Sequence, residues 1–97
     1  MTLHQTVQNG IKEAMKSRDA VRLTVLRGLL SAFTNELVAK GQKPQEELSD
    51  ENAISVIKRS IKQRKDSIEQ FTAGGRKDLA DAELAELAIL QTFVPAG

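Results

Sequence analysis

Apolar positions recur at spacings of three and four along four segments of the chain and nowhere alternate for long, a pattern that predicts amphipathic helices rather than strands. The first segment runs from about Leu3 to Lys16 and puts Leu3, Val7, Ile11, Ala14 and Met15 on one side. Gly10 lies inside it and costs about 1 kcal/mol relative to alanine, so this helix needs docking to persist. The second segment, from about Asp19 to Lys40, repeats Leu23, Leu26, Leu30, Phe33 and Leu37 with Val25 and Leu29 widening the stripe. Asp19 can accept from the free amides at its start, and Gly41 can take the left-handed turn that stops it. A polar connection, GQKPQEEL, follows, and its Pro44 resists helical continuation.

Ser49 is placed to cap a third helix whose first turn carries Asp50 and Glu51, where the helix dipole favours negative charge. This helix ends at Gly74-Gly75, and Asp78 with Asp81 resembles a capping box for a fourth. The fourth carries Leu79, Ala80, Leu84, Leu87 and Leu90 and stops around Phe93-Val94, since Pro95 disfavours helical geometry in the residue before it. Short connections between long helices imply antiparallel neighbours, so the expected fold is all-α, a small up-and-down helical bundle of about four helices. The closing VPAG reads more like the start of a linker than a finished terminus.

The third helix contains the most informative stretch, IKRSIKQRKDSIEQF. At about 100° per residue, Ile54, Ile57, Ile61, Ile68 and Phe71 share a stripe, and Arg64 occupies the heptad position between Ile61 and Ile68. An unpaired charge there would be expensive, so its guanidinium is expected to meet a carboxylate or free carbonyls at a helix end. Glu83 is the best candidate because it also intrudes on an apolar stripe; Glu86 and Glu36 are alternatives. Lys58, Lys62 and Lys65 fall on another side with Glu51 and Glu69, where Lys62–Asp66 and Lys65–Glu69 pairs would support a solvated, mixed-sign face. Arg59 and Asp66 lie further round.

Composition narrows the chemistry. The 97 residues suffice for one domain, and a formal net charge of +1 announces no polyanion binder. Cations outnumber acids before residue 40, and acids dominate from residue 74 onward. The absence of cysteine removes disulfides, thiolate metal sites and thiol chemistry together. His4, the one histidine, falls at a start expected to fray, and one His without Cys cannot build a usual zinc site or a Ser-His or Cys-His nucleophile. The double glycine in FTAGGRKDLAD lacks the pattern and preceding strand of a phosphate-binding loop. No catalytic constellation, cofactor site or metal site is therefore expected. With no Trp or Tyr, RNA contact through stacking is poorly supported and would fall to Lys and Arg on phosphates. No apolar run approaches membrane-spanning length and no signal-peptide core opens the chain, so the expectation is a soluble cytoplasmic protein without membrane contact.

Three blocks taken together, KEAMKSRDAVRLTVLRGLLSAFTNE, LSDENAISVIKRSIKQRKDSIEQF and AGGRKDLADAELAELAILQTFVP, resemble the YqeY family, related to the GatB/YqeY domain. The most specific parts are the stretch from Ala14 to Arg27, IKQRKDSIEQF, and the stretch from Gly75 to Ala80. The resemblance implies an all-helical N-terminal domain, usually followed by a smaller domain similar to the tail of the B subunit of glutamine-dependent Asp-tRNA/Glu-tRNA amidotransferase, which contacts tRNA. Chains of the family normally continue past the VP, so residues 1–97 are expected to be the N-terminal domain alone, without the tail-like one. No catalytic residue travels with the family's amidotransferase label (carbon–nitrogen ligase, glutamine as amido donor). The expected function is a non-catalytic accessory or adaptor domain whose partner is an amidotransferase-like protein. The alternative is direct tRNA contact through Arg18, Arg22 and Arg27 together with Lys58, Arg59, Lys62 and Lys65.

Overall fold

The computed structural model describes residues 1–94 and folds them into four helices, α1 (Leu3–Ser17), α2 (Ala20–Ala39), α3 (Asp50–Ala73) and α4 (Lys77–Gln91), arranged as an all-α bundle. Three of the helix starts are set by a side chain accepting from a free amide: Thr2 from Gln5, Asp19 from Arg22 and Ser49 from Asn52. Thr2 and Gln5 complete a reciprocal capping box, because the Gln5 side chain accepts from the Thr2 amide.

Three helix ends close by one device. At each, a residue in the left-handed region lets two successive amides reach back to the last carbonyls. For α2 it is Gly41, with Gly41 and Gln42 donating to Val38 and Leu37; for α3 it is Gly75, with Gly75 and Arg76 donating to Thr72 and Phe71. For α1 it is Arg18, a residue that bears the steric strain glycine avoids, with Arg18 and Asp19 donating to Met15 and Ala14.

The start of α4 differs from the sequence expectation. Arg76 is both the residue whose amide closes α3 and the residue preceding α4, so α4 begins at Lys77 and Asp78 falls in its first turn rather than at its cap. No side chain caps this helix; Arg76 instead leans on Asp78, with Nε and Nη2 each 3.4 Å from a carboxylate oxygen. At the other end α4 stops at Gln91, and Thr92 and Phe93 donate to Ile89 and Leu90 in tighter turns. The expectations placed on Pro95 and on the VPAG ending beyond Val94 lie outside the described residues.

The helices pair as two hairpins, α1 with α2 and α3 with α4, and α2 lies more lightly against α3 and α4. The core sits where the hairpins meet, built from Val7, Val25, Leu26, Leu29, Phe33, Leu37, Leu48, Ala53, Val56, Ile57 and Leu90. Further along α3, which packs chiefly against α4, Ile61 at the edge of the core and Arg64, Ile68 and Phe71 beyond it are half-buried. Met15, Leu79 and Leu84, expected on inward stripes, are left partly exposed at 52%, 36% and 48%, because each lies at the edge of a helix touched by too few neighbours to cover it.

The N-terminus is tied down rather than frayed. His4 is buried at 3% exposure, its ring packs on Phe33 with centroids 5.2 Å apart, and its Nδ1 accepts from the Leu48 amide at 3.0 Å. An Nδ1 that accepts leaves the imidazole proton on Nε2. Around it, Thr2 and Gln5 donate to the Glu47 carboxylate and the Leu3 amide donates to Asp50. The polar-looking connection thus sends Leu48 into the core, and its Glu47 together with Asp50 at the start of α3 fastens the first turn of α1.

Candidate functional site

The residues singled out from sequence fall into three separate places. Arg18 and Arg27 stand exposed around the α1–α2 corner. Arg22, in the first turn of α2, is half-buried with its guanidinium carbon 5.8 Å from the centre of the Phe93 ring, a cation–π contact that ties α2 to the end of α4. Arg18 also has the backbone duty described above.

On α3, Arg59 pairs with Glu36 of α2, whose carboxylate is mostly buried while the arginine is not. Lys58, Lys62 and Lys65 form an exposed stripe. Among the described residues neither Lys62–Asp66 nor Lys65–Glu69 closes to an ion pair, in contrast to the helical pairing expected from sequence. Exposed lysines gain too little from such a pair to hold a long side chain in one place.

Arg64 is the most constrained cation. Its Nη1 lies 3.0 Å from a Glu83 oxygen and 2.5 Å from a Glu86 oxygen, all three side chains being about three-quarters buried. Spacing on α4 explains the geometry: positions 83 and 86 are three apart, hence neighbours on one helix face, and both meet the same guanidinium. One cation against two carboxylates leaves one negative charge in excess. The Nε of Arg64 is buried without a hydrogen-bond partner.

Shallow depressions flank this triad. One, between α2 and α4, is lined by Ala20, Val21, Thr24, Ala82, Ala85 and Glu86. A second, lined by Ser60, Gln63, Arg64, Ser67 and Glu83, shares Ser60 and Gln63 with a third that runs under α2 past Glu36 and Arg59. Together they make a concave face on the side of α2 turned away from α1. Sequence reading missed this face, because small uncharged residues such as Ala20, Thr24 and Ala85 carry no motif.

At the hinge between α3 and α4, the Arg76 guanidinium beside Asp78, helped by the Leu79 amide, holds the Asp78 carboxyl below its ordinary range. Among the described residues no group of three or more His, Asp or Glu is placed to hold a metal ion, and no helix is long and apolar enough to cross a membrane.

The comparisons with known proteins cover nearly all of the chain. It is 34% identical over 88 residues to "Altered inheritance of mitochondria protein 41, mitochondrial" of Lachancea thermotolerans, an alignment covering 91% of this chain and 46% of that protein. The protein of the same name from Candida glabrata is 32% identical over 90 residues, covering 92% of this chain and 48% of its own length. That from Saccharomyces cerevisiae is 34% identical over 88 residues, covering 91% and 46%. The chain thus spans about half the length of the curated relatives it matches. These relatives overturn the expectation of a cytoplasmic protein, since their names place them in mitochondria. That expectation rested on lacking a signal peptide and a spanning segment, neither of which distinguishes one aqueous compartment from another. The model of the family described as Yqey-like protein matches residues 4–97, and the chain belongs to that family.

Proposed function

We propose that the chain is a non-catalytic helical accessory domain that acts by docking on a partner protein, with an amidotransferase-like subunit the first partner to test. The observation that carries this reading is the outer side of α2. Ala20, Val21, Thr24, Gly28 and Ser31 are exposed there, Val21 at 46%, with the exposed Arg27 at the edge of the patch. In a chain with 28% charged residues, a largely uncharged helix face beside a groove is the surface a partner would cover. Family relation to the amidotransferase B subunit supports the choice of partner. The mitochondrial names of the relatives make a mitochondrial setting the one in which to look.

The direct test is titration calorimetry of the chain against the B subunit of an amidotransferase from the same organism. Binding that Val21→Glu abolishes and Lys62→Glu spares supports docking through α2; absence of binding by the unaltered chain overturns this choice of partner. A carbon–nitrogen ligase would instead transfer amide by itself from glutamine to misacylated tRNA with ATP, and such turnover by the isolated chain would overturn the non-catalytic reading.

A second reading, direct tRNA contact, draws on the stripe of Lys58, Lys62 and Lys65, exposed and free of ion pairs among the described residues. It requires affinity that falls with salt at a log–log slope near −0.9 or somewhat shallower per phosphate contact. Affinity absent even at low salt removes it.

A further inference from the structure

We infer that the concave face beside α2 receives a partner helix carrying a lone arginine or lysine, and that this cation completes the Arg64–Glu83–Glu86 triad. The inference deepens the docking reading by naming the chemistry of the occupant. Charge is the argument. Glu83 and Glu86 both accept from the single Nη1 of Arg64, and among the described residues no second cation comes within ion-pair distance of either. Two neighbouring arginines are engaged elsewhere, Arg59 by Glu36 and Arg76 by Asp78. An excess negative charge that is about three-quarters removed from water is attracted more strongly to a cation than one in bulk solvent. Hydrogen bonds between ionised partners are also roughly twice as strong as neutral ones.

The surroundings select a helix. Glu86 opens into the depression lined by Ala20, Val21, Thr24, Ala82 and Ala85, whose short side chains let another helix approach at the 8–10 Å typical of packed helices. On the other side of the triad, Ser60, Gln63 and Ser67 offer uncharged polar groups to the flanks of the occupant. Asp81, exposed near the start of α4 and without an ion pair among the described residues, adds the same sign of charge on that helix. A phosphate backbone would meet carboxylates here, so this face and the lysine stripe of α3 select opposite partners.

The test uses the isotope-labelled chain and two synthetic helical peptides of about 16 residues, long enough to hold helix. Both are built from alanine, leucine and glutamine; one has a central arginine and the other citrulline, its neutral isostere. Amide NMR shifts are expected across residues 20–31 and 82–86, with the arginine peptide binding about tenfold tighter, the ratio a single charge-assisted hydrogen bond supplies. Glu86→Gln leaves a balanced Arg64–Glu83 pair and should erase that preference without altering the thermal melt; Glu83→Gln serves the same purpose should the first variant melt early. Equal binding of the two peptides, shifts confined to Lys58, Lys62 and Lys65, no shifts with either peptide, or a preference surviving in both variants would each overturn the inference. An arginine preference without calorimetric binding to the B subunit would retain the inference and reject only that partner.

Discussion

The two ends of the bundle use the same apolar period and reach opposite results. Where the hairpins meet, Phe33, Leu26, Leu37 and Ile57 are sealed, and even the histidine of the first turn is closed in between Leu48 and Phe33. Along the outer half of α3 the stripe continues through Ile61, Ile68 and Phe71, yet every one of these is half-buried and the position between them is an arginine. Periodicity sets which side of a helix turns inward; the number of neighbouring helices sets how far inward it goes. At the two-helix end a charge is tolerable, since water still reaches it and two glutamates hold it.

The sharpest way to break that contrast is a matched pair of truncations read by urea unfolding. Phe33→Ala should cost about 3–5 kcal/mol, in the range for a sealed aromatic, and Phe71→Ala clearly less, about 1–2 kcal/mol for a half-covered ring. Equal losses would mean that the outer half of α3 is as tightly built as the core. Next in size is Arg64→Met, which leaves Glu83 and Glu86 side by side without their cation. Partial exposure reduces the penalty of a broken buried pair to about 1–2 kcal/mol. A melt unchanged or raised would show that the triad is not needed for folding and would strengthen its assignment to binding.

Two glycines separate propensity from packing. Gly28 faces open space in mid-α2, so Gly28→Ala should raise stability by about 0.5–1 kcal/mol. A Cβ at Gly10 would come within 2.9 Å of the Leu26 side chain, which is fully buried, so Gly10→Ala should fail to deliver the same gain of about 1 kcal/mol. The smallest effect is electrostatic. The carboxyl of Asp78 is lowered below its ordinary 3.8 in the folded chain, so its contribution is present above that value and is lost as pH falls below it. Asp78→Asn should flatten the acid limb of the stability curve slightly and leave neutral pH alone.

Local chemistry was the legible part of this chain. Asp19, Ser49 and Gly41 act through their own turns, and their roles follow from a few adjacent residues. The sequence also nominated Glu83, Glu86 and Glu36 as carboxylates for Arg64; the fold sends the first two to Arg64 and the third to Arg59. What sequence did not show depends on distant segments meeting. His4 looked like a fraying residue because its partners, Leu48 and Phe33, are 44 and 29 positions away. Leu48 was hidden in a polar connection, and Leu79 and Leu84 were placed inward because a stripe cannot report how many helices will cover it. The concave face beside α2 is silent in sequence for a related reason: it is made of small residues whose proximity only the bundle creates.

The turn at Gly75-Arg76 has a consequence for how such chains can change length. Only Gly74, Gly75 and Arg76 separate α3 from α4, and the amide of the last still closes α3. An inserted residue would disturb the closure at Gly75 and Arg76, on which the approach of Glu83 and Glu86 to Arg64 and of Leu87 and Leu90 to the core depends. Insertions and deletions should therefore be admitted in the connection before α3, around Pro44 and Gln45, and excluded from the turn before α4. The phase of the second hairpin is written in the length of a turn.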